Sequence, residues 1–286
     1  MNFITWYDAR NLASTLLLAG IAVLQANAQA NVVVTRLNPA GSSYTTAAGL
    51  NNIGTVVGAF ELPGQQLEGF SYDVNNKKYT TFSAPGALYT IALGVNDFKT
   101  IVGTFTTPDN IAHGFFLNGS TFTQYDVAGS SGTEIHGVND AGNFSGTVGS
   151  NGFYQGFINI GGTVTQFTAH GRPTVAYGIN NTNSVVGFFV NATATATHGF
   201  LRGPGGVLTQ IDVPGSTSTA CTSINDAGVI TGFYSDSNGA THSFILNNSN
   251  YRTTTFPYIA QINNLGAIVG STASKSGQTV GFLAAQ

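Results

Sequence analysis

Charged residues are scarce in this sequence: Asp, Glu, Lys and Arg together make up 7% of its 286 residues, against roughly a quarter in an ordinary soluble domain. Nine Lys and Arg residues are too few for the basic surface that neutralises nucleic-acid phosphates. A coiled coil is excluded because its e and g positions carry charge. A disordered tail is excluded because aromatic residues reach 11%. We therefore expect a neutral globular protein with no nucleic-acid partner.

Cysteine is almost absent as well, and the single Cys221 cannot form an internal disulfide. This excludes a mini-protein held together by several disulfides. A domain of about 250 residues buries enough core to be stable without them. Glycine, by contrast, is abundant, with 37 residues, and this favours a β-rich chain with many turns.

The first thirty residues are typical of a secretory signal peptide. An apolar run, Leu12–Leu24, precedes the A-x-A cleavage motif Ala28-Gln29-Ala30, with Ala26-Asn27-Ala28 as a second register. The run is too short for a comfortable membrane span, and the region before it carries Asp8 as well as Arg10. The alternative is an uncleaved N-terminal helix. We predict that residues 1–30 are the signal peptide, that residues 31–286 form one mature domain without a membrane span, and that the protein is secreted or periplasmic.

The mature chain repeats one motif six times at a period near that of propellers and helical arrays. The first landmark is a small residue, an apolar residue, Asn, and then Asp or Asn; its Asn residues are Asn51, Asn96, Asn139, Asn180, Asn225 and Asn263. The second landmark is a Gly that follows a short stretch, at Gly58, Gly103, Gly146, Gly187, Gly232 and Gly270. The third is a Gly-Phe pair, with Ser243-Phe244 in the fifth copy, and its Phe residues are Phe70, Phe115, Phe157, Phe200, Phe244 and Phe282.

Each repeat contains four short apolar or aromatic stretches separated by Gly, Asn, Asp and Pro, which predicts four strands, the content of one propeller blade. The last repeat stops one strand short. Residues 31–38 align with the outgoing strand of the other repeats and can complete the last blade, which removes the open edge of the ring. The sequence therefore predicts an all-β, six-bladed propeller of four antiparallel strands per blade, closed by its N-terminal strand.

The repeat resembles the extracellular repeats named for a His-Ala-Phe (HAF) motif, found in secreted bacterial proteins. Three copies carry the resemblance, in Ala112-His113-Gly114-Phe115, Thr197-His198-Gly199-Phe200 and Thr241-His242-Ser243-Phe244. The match covers essentially all of residues 31–286, although Glu68, Gln155 and Val280 replace the His in the other copies. The resemblance implies secretion and a propeller-like fold, and it implies no settled biochemical activity.

The best candidate site residues break the repeat near the central channel. Glu134 and His136 are two residues apart on the inner strand of the third blade, so we expect them on one face of that strand. A carboxylate beside an imidazole can perform acid–base chemistry, which makes the pair weak catalytic candidates. Together with Tyr177 and Tyr258 they are also the predicted ligand-binding residues. The plainer interpretation is an ion pair that lines a polar channel.

Two repeated features are interpreted as structural. A residue needed once for catalysis is not repeated six times, so the landmark Asn residues are expected to bond nearby backbone and shape their turns. The turn acids lack the alternating oxygen ligands of a calcium loop, and we predict no metal site and no cofactor; these acids are Asp97, Asp140 and Asp226. His113, His198 and His242 are interpreted as blade-packing or strand-edge residues.

The favoured function is that of a secreted, non-catalytic binding protein, expected as a monomer, that recognises a glycan or another extracellular polymer at one face or at the channel mouth. The alternative is a secreted hydrolase or lyase that acts on a carbohydrate at a single site there. Enzymatic activity is left open, with the balance against it, because nucleophile-elbow, HExxH and activated-cysteine motifs are missing. A third interpretation is a rigid structural scaffold.

Overall fold

A computed structural model describes residues 32–150 and 153–285, and every regular element in these ranges is a β-strand. The predicted signal peptide lies outside the described residues. In chain order the strands are β1 (Val33–Leu37), β2 (Tyr44–Leu50), β3 (Thr55–Glu61), β4 (Leu67–Asp73), β5 (Lys78–Phe82), β6 (Tyr89–Val95), β7 (Ile101–Thr106), β8 (Ala112–Asn118), β9 (Thr121–Tyr125), β10 (Gly132–Val138), β11 (Phe144–Ser150), β12 (Phe153–Ile160), β13 (Thr163–Phe167), β14 (Thr174–Ile179), β15 (Val185–Val190), β16 (Thr197–Arg202), β17 (Leu208–Ile211), β18 (Ser218–Ile224), β19 (Ile230–Ser235), β20 (Thr241–Asn247), β21 (Asn250–Thr253), β22 (Tyr258–Ile262), β23 (Ile268–Ala273) and β24 (Thr279–Ala285).

These strands form six four-stranded antiparallel sheets, which are the six predicted blades. Blades 1 to 5 each take four consecutive strands, from β2–β5 to β18–β21. Blade 6 has the order β1-β24-β23-β22, so the first strand completes the last sheet, with pairs from Val33↔Ala285 to Leu37↔Gly281. The predicted closure by the N-terminal strand is confirmed, and it joins the two ends of the described chain through one antiparallel ladder.

The core is divided among the spaces between neighbouring blades, each of which holds its own apolar cluster. The Phe of the third landmark is 0–1% exposed in every blade. It lies over the second-landmark Gly, where an added Cβ would collide with the Phe ring and with a carbonyl oxygen of the inner strand. The Gly is therefore required because only a residue without a Cβ lets the ring and the inner strand approach so closely.

Every inner strand also carries a β-bulge at one repeat position, where its register with the second strand shifts. A bulge places two residues against one partner and re-aims a side chain. In blade 3 the shift falls between Ile135 and Gly137, so His136 is the bulged residue. The bulge therefore decides where this candidate side chain points, and simple alternation along the strand does not.

The blades are joined near the axis by a closed ring of asparagine side chains. The Nδ2 of each landmark Asn donates to the backbone oxygen of the next landmark Asn, at 2.9–3.2 Å, and Asn263 closes the ring onto Asn51. The Oδ1 of the same residue accepts a backbone N–H of its own turn. All six residues are buried. The predicted turn-shaping role is confirmed, and the link between blades is an addition to it.

Substitution of one ring residue tests this arrangement. Asn225→Asp removes the Nδ2 donor and sets a carboxylate against the backbone oxygen of Asn263. Because a buried acceptor loses its partner, we expect a loss of about 1–3 kcal/mol in the free energy of unfolding, measured by urea denaturation at neutral pH. Asn238→Asp makes the same chemical change at an exposed turn and is the control. An unchanged midpoint for Asn225→Asp would contradict the structural role of the ring.

Candidate functional site

The propeller has two chemically different ends. The inner strands finish at the asparagine ring, and we call this side the ring end. They begin on the other side, called here the opposite end, where the third strand of each blade also begins. Three groups of polar side chains stand out: one on the inner strand of blade 3, one on the outer strands at the opposite end, and one around the axis at the ring end.

The blade 3 group contains three of the four residues predicted as a site. His136 Nε2 lies 3.1 Å from Glu134 Oε2, and His136 Nδ1 lies 2.9 Å from the backbone oxygen of Ala176 in blade 4. The His136 ring also stacks on Tyr177, with centroids 5.0 Å apart. The structure therefore brings Glu134, His136 and Tyr177 into direct contact across the boundary between blades 3 and 4.

The hydrogen bonds of His136 restrict its chemistry. A backbone oxygen can only accept, so Nδ1 donates to Ala176, and Nε2 faces a carboxylate that also accepts. Both ring nitrogens are thus occupied by groups of the protein, and neither is directed at a substrate. The side chain is also 4% exposed. This geometry suits an ion pair that ties two blades together better than it suits a general base.

Tyr258 lies apart from these three residues. It belongs to the inner strand of blade 6, across the ring from blade 3, and its ring contacts Phe233 of blade 5 at 5.8 Å. Burial raises the pKa of Tyr258 to about 12, so its hydroxyl stays protonated at neutral pH. The structure thus places the fourth predicted residue in a separate contact between blades.

A buried hydroxyl lies in the same part of blade 3. Thr147 is the register partner of Glu134 on β11 and is 6% exposed. Its Oγ1 contacts no hydrogen-bond partner among the described residues. At the same repeat position in blade 2, Thr104 Oγ1 donates to the backbone oxygen of His113 at 3.3 Å. Two equivalent threonines therefore differ in hydrogen bonding alone.

The second group consists of two near-identical sets at the opposite end. In blade 2, His113 Nδ1 lies 3.0 Å from both carboxylate oxygens of Asp126, Gln124 donates to that carboxylate at 2.7 Å, and the His113 ring stacks on Phe105. In blade 4 the corresponding residues repeat these contacts, with distances of 3.0 and 2.6 Å; they are His198, Asp212, Gln210 and Phe189. We call these the His–Gln–Asp sets.

In blade 5 the histidine at this position contacts a different acid. His242 lies near Tyr234, but its acid is Asp236 from the preceding turn, which it contacts through Nε2 at 2.9 Å. The hydrogen bond from His242 is the first cause that lowers the pKa of Asp236. The histidines are interpreted above as blade-packing or strand-edge residues, and each lies against an aromatic ring on the neighbouring strand of its own blade. The acid partners were not predicted, although Gln-x-Asp stands in the fourth strand of both blades that carry a full set.

The third group surrounds the axis at the ring end. The residue after each landmark Asn forms a second closed ring, in which its side-chain oxygen accepts the backbone N–H of the preceding blade at 2.7–2.9 Å. Its members are Asn52, Asp97, Asp140, Asn181, Asp226 and Asn264. Both rings line a pocket of about 60 Å³. None of the four predicted site residues lies among the residues that line it.

Other chemistry has little support in the described residues. They contain no group of three or more His, Cys, Asp or Glu that could hold a metal ion. Cys221 is fully buried, and burial raises the pKa of its thiol well above the usual range. A buried thiol of this kind is inert as a nucleophile. In the same ranges no helix has the length and apolarity to cross a membrane.

Solved structures share the fold at low sequence identity. TolB from Acinetobacter baumannii superposes with a TM-score of 0.58 at 14% identity, over 82% of this chain and 64% of that chain. A TolB-like protein from Agrobacterium tumefaciens gives 0.58 at 8% identity, over 83% and 89%. The Aleuria aurantia lectin in complex with Fucα1-6GlcNAc gives 0.47 at 12%, over 78% of each chain, which is too distant to argue from. These similarities show a propeller fold and no activity.

No protein-family model and no curated protein matches the sequence. The chain spans less than two thirds of the A. baumannii TolB chain. The HAF resemblance therefore stays a prediction, and the function has to be argued from the site itself.

The unpartnered hydroxyl of Thr147 gives a stability test. Thr147→Val keeps the shape of the side chain and removes a buried polar atom without a partner, so we expect stabilisation by about 1–2 kcal/mol. In a chain of this size that is a rise in Tm of about 2–4 °C per kcal/mol. Thr104→Val removes a bonded hydroxyl at the equivalent position and is expected to lower Tm. A lower Tm for Thr147→Val would show that its hydroxyl is satisfied in solution. Calorimetry of both variants provides the comparison.

Proposed function

We propose that this protein is an exported, non-catalytic binding protein that recognises a neutral, hydroxyl-rich polymer, with a glycan as the favoured ligand. The observation that carries the proposal is the duplication of the His–Gln–Asp set at equivalent positions of blades 2 and 4. Two equal sets on one end of a rigid ring suit a repetitive ligand that engages both at once.

Each set offers the groups that a sugar hydroxyl requires. The Asp126 carboxylate accepts a hydrogen bond from His113 Nδ1 in the tautomer that carries its proton there, and Nε2 is then an acceptor. The carboxylate has lone pairs beyond those used by His113 and Gln124, and its side chain is 38% exposed. Phe105 holds the imidazole ring in place by stacking. A few fixed polar groups beside an aromatic ring orient a ligand in this way.

A neutral ligand suits the charge of these sets. Each contains one carboxylate and one imidazole, without Lys or Arg in its contacts. An anionic polymer would meet the Asp126 and Asp212 carboxylates without a cation to offset them. The formal net charge of −3 for the whole chain points the same way.

The hydrolase or lyase alternative rests on Glu134 and His136. They lie 3.1 Å apart, but both ring nitrogens of His136 are occupied by groups of the protein and the side chain is almost fully covered. The axial pocket of about 60 Å³ at the ring end is lined by other residues. We therefore favour binding over catalysis. Export to the periplasm or the cell exterior remains part of the proposal, since it depends on residues 1–30.

The two sets predict two equivalent sites per chain. Asp126→Asn or Asp212→Asn replaces one of the two oxygens that the histidine contacts with an NH2 group and removes the negative charge. Each change should weaken its own site, and the double variant should weaken binding at least tenfold, about 1.4 kcal/mol. A glycan array that includes peptidoglycan fragments identifies the ligand, and calorimetry on the best saccharide gives stoichiometry and Kd. Asp73→Asn, at the ring-end terminus of β4, is the matched control.

Three results would count against this function. They are an array without any saccharide ligand, undiminished binding by the double variant, and turnover of a bound saccharide that Glu134→Gln abolishes. The last would restore the enzyme hypothesis and its site.

A further inference from the structure

The ring end carries an apolar surface that the proposed function does not use. The residue after each member of the second ring sits at the rim of the axial pocket. In three neighbouring blades it is large, apolar and exposed: Leu265 of blade 6 at 75%, Ile53 of blade 1 at 46% and Phe98 of blade 2 at 76%. In the other three blades it is small or polar; these residues are Ala141, Thr182 and Ala227.

The turns that carry these three side chains are neighbours. Asn264 N donates to Asn52 Oδ1 at 2.8 Å, and Asn52 N donates to Asp97 Oδ1 at 2.7 Å. The turns of blades 6, 1 and 2 are thus hydrogen bonded in sequence, and Leu265, Ile53 and Phe98 follow directly on these bonded residues. Single exposed apolar residues are ordinary, whereas a contiguous apolar patch marks an interaction surface. We call these three residues the apolar rim.

The carboxylates beside the apolar rim favour a ligand with a positive charge. Asp97, Asp140 and Asp226 line the axial pocket, and none of the lining residues is Lys or Arg. Each carboxylate accepts hydrogen bonds from ring neighbours, but these come from neutral amides and backbone N–H groups. Three carboxylates therefore face the axis without a cation among the residues that line the pocket; Lys99 follows Phe98 on the same turn, outside this lining. The three carboxylates complement a positive group.

We propose that the ring end docks a segment of a partner protein in which apolar side chains flank a Lys or Arg. The cationic group lies over the axial pocket, and the apolar side chains rest on Leu265, Ile53 and Phe98. A small free cation would reach the carboxylates but leave the rim uncovered, whereas a peptide spans both. The pocket, at about 60 Å³, admits the tip of such a side chain and excludes a folded element.

Binding of synthetic peptides tests this. The probe is a panel of acetylated, amidated octapeptides that place one Lys or Arg among Leu, Ile and Phe in every register, each with a norleucine counterpart for the cation. Fluorescence anisotropy against the full mature chain measures Kd. We expect the cationic peptides to bind, their norleucine counterparts to bind at least tenfold more weakly, and the difference to shrink as salt rises.

Variants assign the binding to the proposed residues. Phe98→Ser with Leu265→Ser should weaken every peptide at least tenfold. Asp97→Asn with Asp140→Asn should weaken the cationic peptides alone; Asn already occupies this ring position in three blades, so the fold tolerates it. Val33→Ser on β1 and Asp109→Asn at the opposite end make the same chemical changes elsewhere and should change nothing.

Several outcomes overturn the proposal. One is a panel without a binder, and another is binding that the control variants weaken as much as the ring-end variants do. A dimer in analytical ultracentrifugation that Phe98→Ser with Leu265→Ser dissociates would assign the rim to a second copy. Binding to vesicles of neutral lipid that the same variant abolishes would assign it to a membrane surface.

Discussion

The amide ring formed by the six landmark asparagines is the constraint on which the rest of the propeller depends. Each side chain satisfies two demands at once, since Oδ1 accepts from its own turn and Nδ2 donates to the next blade. Ser or Asp at this position would meet one demand and leave a buried backbone group unpaired. Because the ring closes on itself, every blade is hydrogen bonded to both of its neighbours.

Because the six blades are so alike, residues that differ at equivalent positions can be compared directly. With the inner strands fixed, a bulge at one position of each blade turns one side chain toward the next blade. His136 uses this position to bond Ala176, and Thr222 of blade 5 bonds the corresponding oxygen of Ile259. Two unlike residues thus make the same contact between blades, which supports the interpretation of His136 as a structural link. Residues that vary without such a shared contact, such as Phe98, are better candidates for binding.

Much of the fold follows from sequence reasoning, and the sites follow less well. Blade count, strand order and closure can be predicted because each landmark has a steric or hydrogen-bonding cause that recurs six times. Contacts between side chains depend on register, which the landmarks do not reveal. His113 and Asp126 are thirteen residues apart, and they meet because β8 and β9 pair with Gly114 opposite Tyr125. Tyr258 was grouped with Glu134 because they share a repeat position, yet blades 3 and 6 lie on opposite sides of the axis.

The antiparallel order within each blade separates the two ends chemically. The turns between first and second strands meet at the ring end. There the two hydrogen-bonded rings constrain the turn residues, except for those at the rim. Connections that lead into the third strand lie at the opposite end, where Asp126 is exposed and His113 is half-buried. The two ends of the propeller are connected by whole strands packed around a closed ring, without a hinge between the ends. A rigid element with one arrangement cannot carry coupling between sites, so two ligands, one at each end, are expected to bind independently.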